Sequence, residues 1–79
     1  MTAPFAREWY RLDPDGPITQ QQHEAVERFK DARPTVTFGR ITILGIERRE
    51  PWLCIDGWLT PPDDQGPVPT DADIPMGFV

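Results

Sequence analysis

The sequence predicts an α+β domain: a small antiparallel sheet of about three strands with one helix packed on one face, then an irregular proline-rich C-terminal tail. Three observations carry this expectation. A single stretch, "ITQQQHEAVERFKDARP", has apolar residues at helical spacing. Two later stretches, "TVTFGRITIL" and "PWLCIDGWLT", are β-branched and aromatic and flank a polar turn, "ERRE". Beyond Thr60 the composition shifts to five prolines, two glycines and four acids in nineteen residues. Residues 1–60 are therefore read as one α+β domain and residues 61–79 as an acidic proline-rich tail.

Each element has a local reason. Residues 7–13, "REWYRLD", carry Trp9, Tyr10 and Leu12 in a pattern that suits a short strand. "DPDGP" is turn chemistry: proline presets φ, glycine admits positive φ, and aspartate bonds the backbone close by. Asp13, Asp15 and Gly16 also have the start of an acidic calcium loop, but the downstream glutamate and the full spacing are missing. In the helix, Thr19 and Gln22 have capping-box spacing. Ala25, Val26, Phe29 and Ala32 form the apolar stripe, extended by Gln22 and Ile18. Pro34 disfavours a helical Arg33 and ends the element. Residues 35–46 and 52–60 should form an antiparallel hairpin, the first strand apolar on both faces with a bend or bulge at Gly39.

The returning strand poses the main question. Alternation puts Leu53, Ile55 and Leu59 on one side with Gly57, and Trp52, Cys54, Asp56 and Trp58 on the other. One narrow helix covers one side, so Val26 and Phe29 are assigned to the Leu/Ile side. The tryptophan side needs a second cover. Either the chain supplies it, with Trp9, Pro61, Pro62 and Phe78 against the rings, or a partner does, since tryptophan is enriched at interface hot spots. The apolar end of the tail, Met76, Phe78 and Val79, is expected to dock.

Composition limits the function. The chain has 79 residues, one cysteine and one histidine, so neither a disulfide framework nor a Cys/His metal cluster is available, and Cys54 reads as a small buried apolar residue. Serine is absent, which removes a serine nucleophile. No second catalytic group is fixed beside Asp56, whose pKa burial alone would raise, and no catalytic residue, cofactor or metal is assigned. The opening residues lack the apolar core of a signal peptide, and no run is long enough to span a bilayer, so a cytoplasmic location is expected.

Charge is unevenly laid out. Residues 1–49 hold seven acids and eight bases; from Glu50 onward there are six acids and no base, for a net charge of −5. An acidic third repels phosphate and anionic membranes and favours partners with a basic surface. The candidate partner-binding residues are Trp52, Asp56, Trp58, Asp63, Asp64, Asp71 and Asp73.

Two resemblances follow from quoted residues. Phe38-Gly39, Leu44-Gly45-Ile46-Glu47 and Pro51-Trp52-Leu53, following the helix, resemble a family of small uncharacterised phage and prophage proteins over about half the chain. The spacing after Gly39 is shorter than in that family, and the middle of the returning strand differs. This resemblance implies a phage or mobile-element origin and the cytoplasm of the host cell. "WYRLDPDGPI" resembles the Trp-Tyr strand, turn and Gly-Pro-Phe of GYF-type proline-binding domains. There, however, His23 and Val26 stand where methionine and tryptophan are expected, and the Gly-Tyr-Phe signature is missing. The expectation is a non-enzymatic acidic phage-type protein that inhibits or modulates a host protein, such as a nucleic-acid-binding defence complex, in the manner of an anti-CRISPR inhibitor. The rival readings are a self-associating accessory subunit with the tryptophan side as a homodimer seam, and a proline-rich-peptide adaptor.

Overall fold

A computed structural model of the chain describes residues 3–75. Strand β1 (Ala6–Arg11) leads into helix α1 (Ile18–Ala32), then strand β2 (Phe38–Leu44), a 3-10 turn (Ile46–Arg48), strand β3 (Trp52–Trp58) and a second 3-10 turn (Asp71–Asp73). The sheet has three strands in the order β1-β3-β2, with both pairings antiparallel. The last strand thus lies in the middle. β1 and β2 run the same way, joined by the helix, with β3 inserted between them. This is the predicted α+β class with one helix.

The helix begins one residue before the expected capping box. Pro17 is its N-cap and no side chain caps it, because Gln21, not Thr19, ties down the entry. The Asp13 amide donates to Gln21 Oε1 at 2.7 Å, and Gln21 Nε2 donates to the Asp13 carbonyl at 3.0 Å. The Asp13 side chain accepts from the Asp15 amide at 2.9 Å, an Asx turn that accounts for "DPDG" without a bound ion. At the far end the Arg33 amide donates to the carbonyls of Phe29 and Lys30, and the helix stops before Pro34 as expected.

Leu12, Ala25, Phe29, Leu53 and Ile55 are the buried cluster between helix and sheet, with Ala6, Tyr10, Ile18, Val26, Val36 and Ile43 packed around it. Ala32, counted in the stripe, is exposed, because the helix overshoots the cluster by its last turn. The Leu53/Ile55 assignment holds, but Leu59 lies past the end of β3 and is 44% exposed. Gly39 makes no bulge: pairing runs unbroken through Phe38↔Trp58, Gly39↔Gly57 and Arg40↔Asp56. Gly57 leaves room for the helix. A Cβ on Gly57 would come within 2.6 Å of Val36 Cγ1 and 2.9 Å of Phe29 Cζ. Nor is β2 covered on both sides. The helix lies over β3, and Ile41 remains 41% exposed.

The hairpin turn depends on a left-handed residue. Gly45 has φ 77°, and a Cβ there would sit 2.3 Å from the Glu50 carbonyl oxygen. The Gly45 carbonyl in turn accepts from the Arg48 and Glu50 amides at 3.2 and 3.1 Å.

Because Phe29 is buried and cannot swing clear, Gly57→Ala should overpack the core and cost about 1–3 kcal/mol. Urea unfolding should show a lowered midpoint with an unchanged slope.

Candidate functional site

The tryptophan side of the sheet is organised around one carboxylate. Asp56 sits in mid-β3, directly opposite Arg7 on β1 and Arg40 on β2. Residues directly opposite share a face, so register alone brings the three side chains together. Arg7 Nε donates to Asp56 Oδ1 at 2.6 Å and its Nη2 to Oδ2 at 3.3 Å. Arg40 Nη2 donates to Oδ2 at 2.8 Å and its Nε to the same oxygen at 3.3 Å. Asp56 is 0% exposed. A buried charge is tolerated only when paired and hydrogen-bonded, and this one has both.

Arg40 also reaches outward. Its Nη1 donates to the carbonyls of Gln65 and Gly66 at 3.2 and 3.3 Å, and its Nη2 to that of Pro67 at 3.3 Å. Its guanidinium lies 5.3 Å from the centre of the Trp58 ring, a cation–π distance. A five-donor planar fork is what such a junction needs. The tail is thereby strapped to the sheet. Pro69 and Ile74 are buried farther along. Asp64 accepts from the Gly66 amide at 2.8 Å, and Asp73 accepts from the Thr70 amide at 2.9 Å to cap the short 3-10 turn. That turn is a regular element where none was expected; Asp73 makes it by completing a capping box with Thr70.

The seven candidate residues divide. Trp52 is half-buried and meets Trp9 edge to face, ring centres 6.4 Å apart. Asp56 and Trp58, expected to meet a partner, are interior because the chain's own arginines and tail reach them first. Asp63, Asp64, Asp71 and Asp73 are exposed, and Asp71 lies 4.0 Å from Arg48. The expected cover from Phe78, like the docking of Met76 and Val79, lies outside the described residues.

The electrostatics remove Asp56 from acid–base work. Burial pushes its carboxyl up, but the hydrogen bonds and charges of Arg7 and Arg40 outweigh this and hold it below the usual carboxylate range. The raised pKa expected from burial alone is therefore reversed. Arg7 is pushed up by its hydrogen bond to Asp56. Cys54 is buried, 3.6 Å from Asp56 Oδ1. Burial first, then the nearby carboxylate, push its thiol up to about 12, so it stays protonated and unreactive. Among the described residues no cluster of His, Cys, Asp and Glu could hold a metal ion, and no helix is long and apolar enough to cross a membrane.

Arg7 and Arg40 were missed as site residues. The available signal was one acid on an apolar strand face, which requires a cationic neighbour; choosing the neighbour required the register. No family model matches the chain, and comparison with curated proteins and with solved structures found no match.

Asp56 has a lower pKa folded than unfolded, so its contribution is complete above the ordinary carboxylate range and is lost as pH falls through its folded value. Acid titration of wild type against Asp56→Asn should show the variant without that component. Asp56→Ala, which strands two arginines against an apolar wall, should cost about 3–5 kcal/mol. Arg40→Lys keeps the charge but loses the fork. It should leave the sheet folded by circular dichroism while Asp-N protease cleaves the tail at Asp63, Asp64 and Asp71 much faster than in wild type.

Proposed function

We propose that this chain is a non-enzymatic inhibitor of phage or prophage type that occludes a basic surface on a host protein, such as the nucleic-acid groove of a defence complex, from within the host cytoplasm. The observation that carries the reading is the strap: the segment bearing Asp63, Asp64, Asp71 and Asp73 is fixed through three of its carbonyls to Arg40, with all four carboxylates exposed. A free acidic tail loses conformational entropy when it binds. A segment already laid on a sheet has less to lose, and its charges are presented in a set arrangement. Complementary charge then accelerates encounter and selects the partner.

Chemistry supports the same reading by subtraction. Asp56 is sealed and held ionised by two arginines, and Cys54 is sealed and protonated. On this side the exposed acids are the charged groups that stay open to another molecule. The phage assignment rests on the sequence resemblance alone.

Capture from a bacterial lysate, followed by a salt series on the recovered complex, tests the proposal. Asp63→Asn with Asp71→Asn removes two charges without touching the strap. The association rate should fall with ionic strength and fall again in the double variant, with thermal stability unchanged. An affinity indifferent to both would reject the proposal.

A further inference from the structure

A recess lies where β3 ends and the acidic segment begins. Its walls are Phe5, Trp58, Leu59, Pro61 and Pro62, its volume is about 450 Å³, and the exposed Asp63 stands at its rim. The backbone holds these walls in place. The Phe5 amide donates to the Gly57 carbonyl at 2.8 Å, and the Thr37 hydroxyl donates to the Leu59 carbonyl at 2.8 Å. The two prolines that follow have fixed φ. Phe5 is nonetheless 61% exposed and Leu59 44%.

The exposed acids of the tail are not equivalent. Asp64 accepts from the Gly66 amide, Asp73 accepts from the Thr70 amide, and Asp71 faces Arg48. Among the described residues Asp63 has neither a hydrogen-bond donor nor a cation. Elsewhere the chain shows what it places beside a ring and a carboxylate. Arg40 lies 5.3 Å from the centre of the Trp58 ring and bonds Asp56. Arg33 lies 5.1 Å from the centre of the Phe29 ring and pairs with Glu8. Both times one guanidinium serves a ring and a carboxylate together, as its planar fork allows. The recess has the ring of Phe5 and the carboxylate of Asp63, and no arginine among the described residues lines it. Apolar walls under an anionic rim match a side chain with an apolar stem and a cationic head.

We propose that this recess receives an arginine side chain of the partner, its stem against Phe5, Leu59 and the prolines and its guanidinium on Asp63. The inference rests on the reading of the chain as a ligand for a basic surface, and it names the anchor within that surface. A purely apolar anchor fills the walls but makes no use of the carboxylate. A lysine reaches the carboxylate as a point charge and has no plane to lay on the Phe5 ring. Arginine does both, and it is among the residues that dominate interface energetics. Because the walls are already held, little ordering is left for the anchor to impose.

Titration of a blocked Gly-Arg-Gly peptide into the full chain, followed by amide NMR shifts, tests the recess without the partner. The amides of Phe5, Leu59 and Asp63 should shift saturably. The same peptide with citrulline, which keeps the shape and loses the charge, should bind about tenfold more weakly. Asp63→Asn and Phe5→Leu should each weaken binding about fivefold. Asp64→Asn, which can still accept from the Gly66 amide, should change it far less. Asp63 is exposed and makes no contact the fold needs, so its variant serves should Phe5→Leu fail to fold. The proposal is overturned if no saturable shift gathers at the recess, or if a lysine, citrulline or norleucine peptide binds as tightly as the arginine one. Binding that Asp63→Asn leaves intact overturns it too. The probe needs no host protein, so a failed capture rejects the proposed function, while the titration alone decides the recess.

Discussion

One buried carboxylate sets the terms for this protein. Asp56 lies in the central strand with no access to water, and only the simultaneous presence of Arg7 and Arg40 makes that position tolerable. Both arginines must be directly opposite it, one on each neighbouring strand. A slip of either outer strand by one residue would turn its arginine to the helix side and leave the carboxylate short of a partner in low dielectric. The triad therefore acts as a register lock on both ladders at once. Among the described residues eight apolar residues are buried, and the ion network adds to their packing a further penalty on any slip of either outer strand.

The same lock organises the C-terminal segment. Arg40 bonds Asp56 on one side and backbone carbonyls of residues 65–67 on the other, so the tail's position is inherited from the sheet's. That is an unusual circumstance for a proline-rich acidic stretch, whose composition by itself favours an extended, solvated chain. Here the carbonyls of Gln65, Gly66 and Pro67 are the groups held, and the carboxylates of Asp63, Asp64, Asp71 and Asp73 are left outward. The result separates two roles that carboxylates play in one molecule. Asp56 is structural and sealed, while Asp63 and Asp71 meet water.

The shortage of helix has a different consequence on the other side. A single helix seated over β3 leaves Ile41 of β2 and the neighbouring groove uncovered. The two apolar sides of the sheet are therefore finished in unlike ways, one by the chain's own tail and the other by an opening at the edge.

Local pattern determined a great deal. The helix, both hairpin strands, the early strand, the side-by-side division of Leu53/Ile55 from Trp52/Trp58, and the inertness of Cys54 follow from periodicities and turn residues that act within a few positions. What the sequence alone did not decide is everything that depends on pairing between distant segments: that β1 joins β3 and not β2, that Gly39 faces Gly57 in unbroken register, that Gln21 and not Thr19 secures the helix entry, and that Arg7 and Arg40 converge on Asp56. Those partners lie 49 and 16 residues from Asp56. A one-dimensional pattern states that a buried acid needs a cation, but with seven arginines in the chain only the folded sheet, by fixing which residues stand opposite, selects the two that serve.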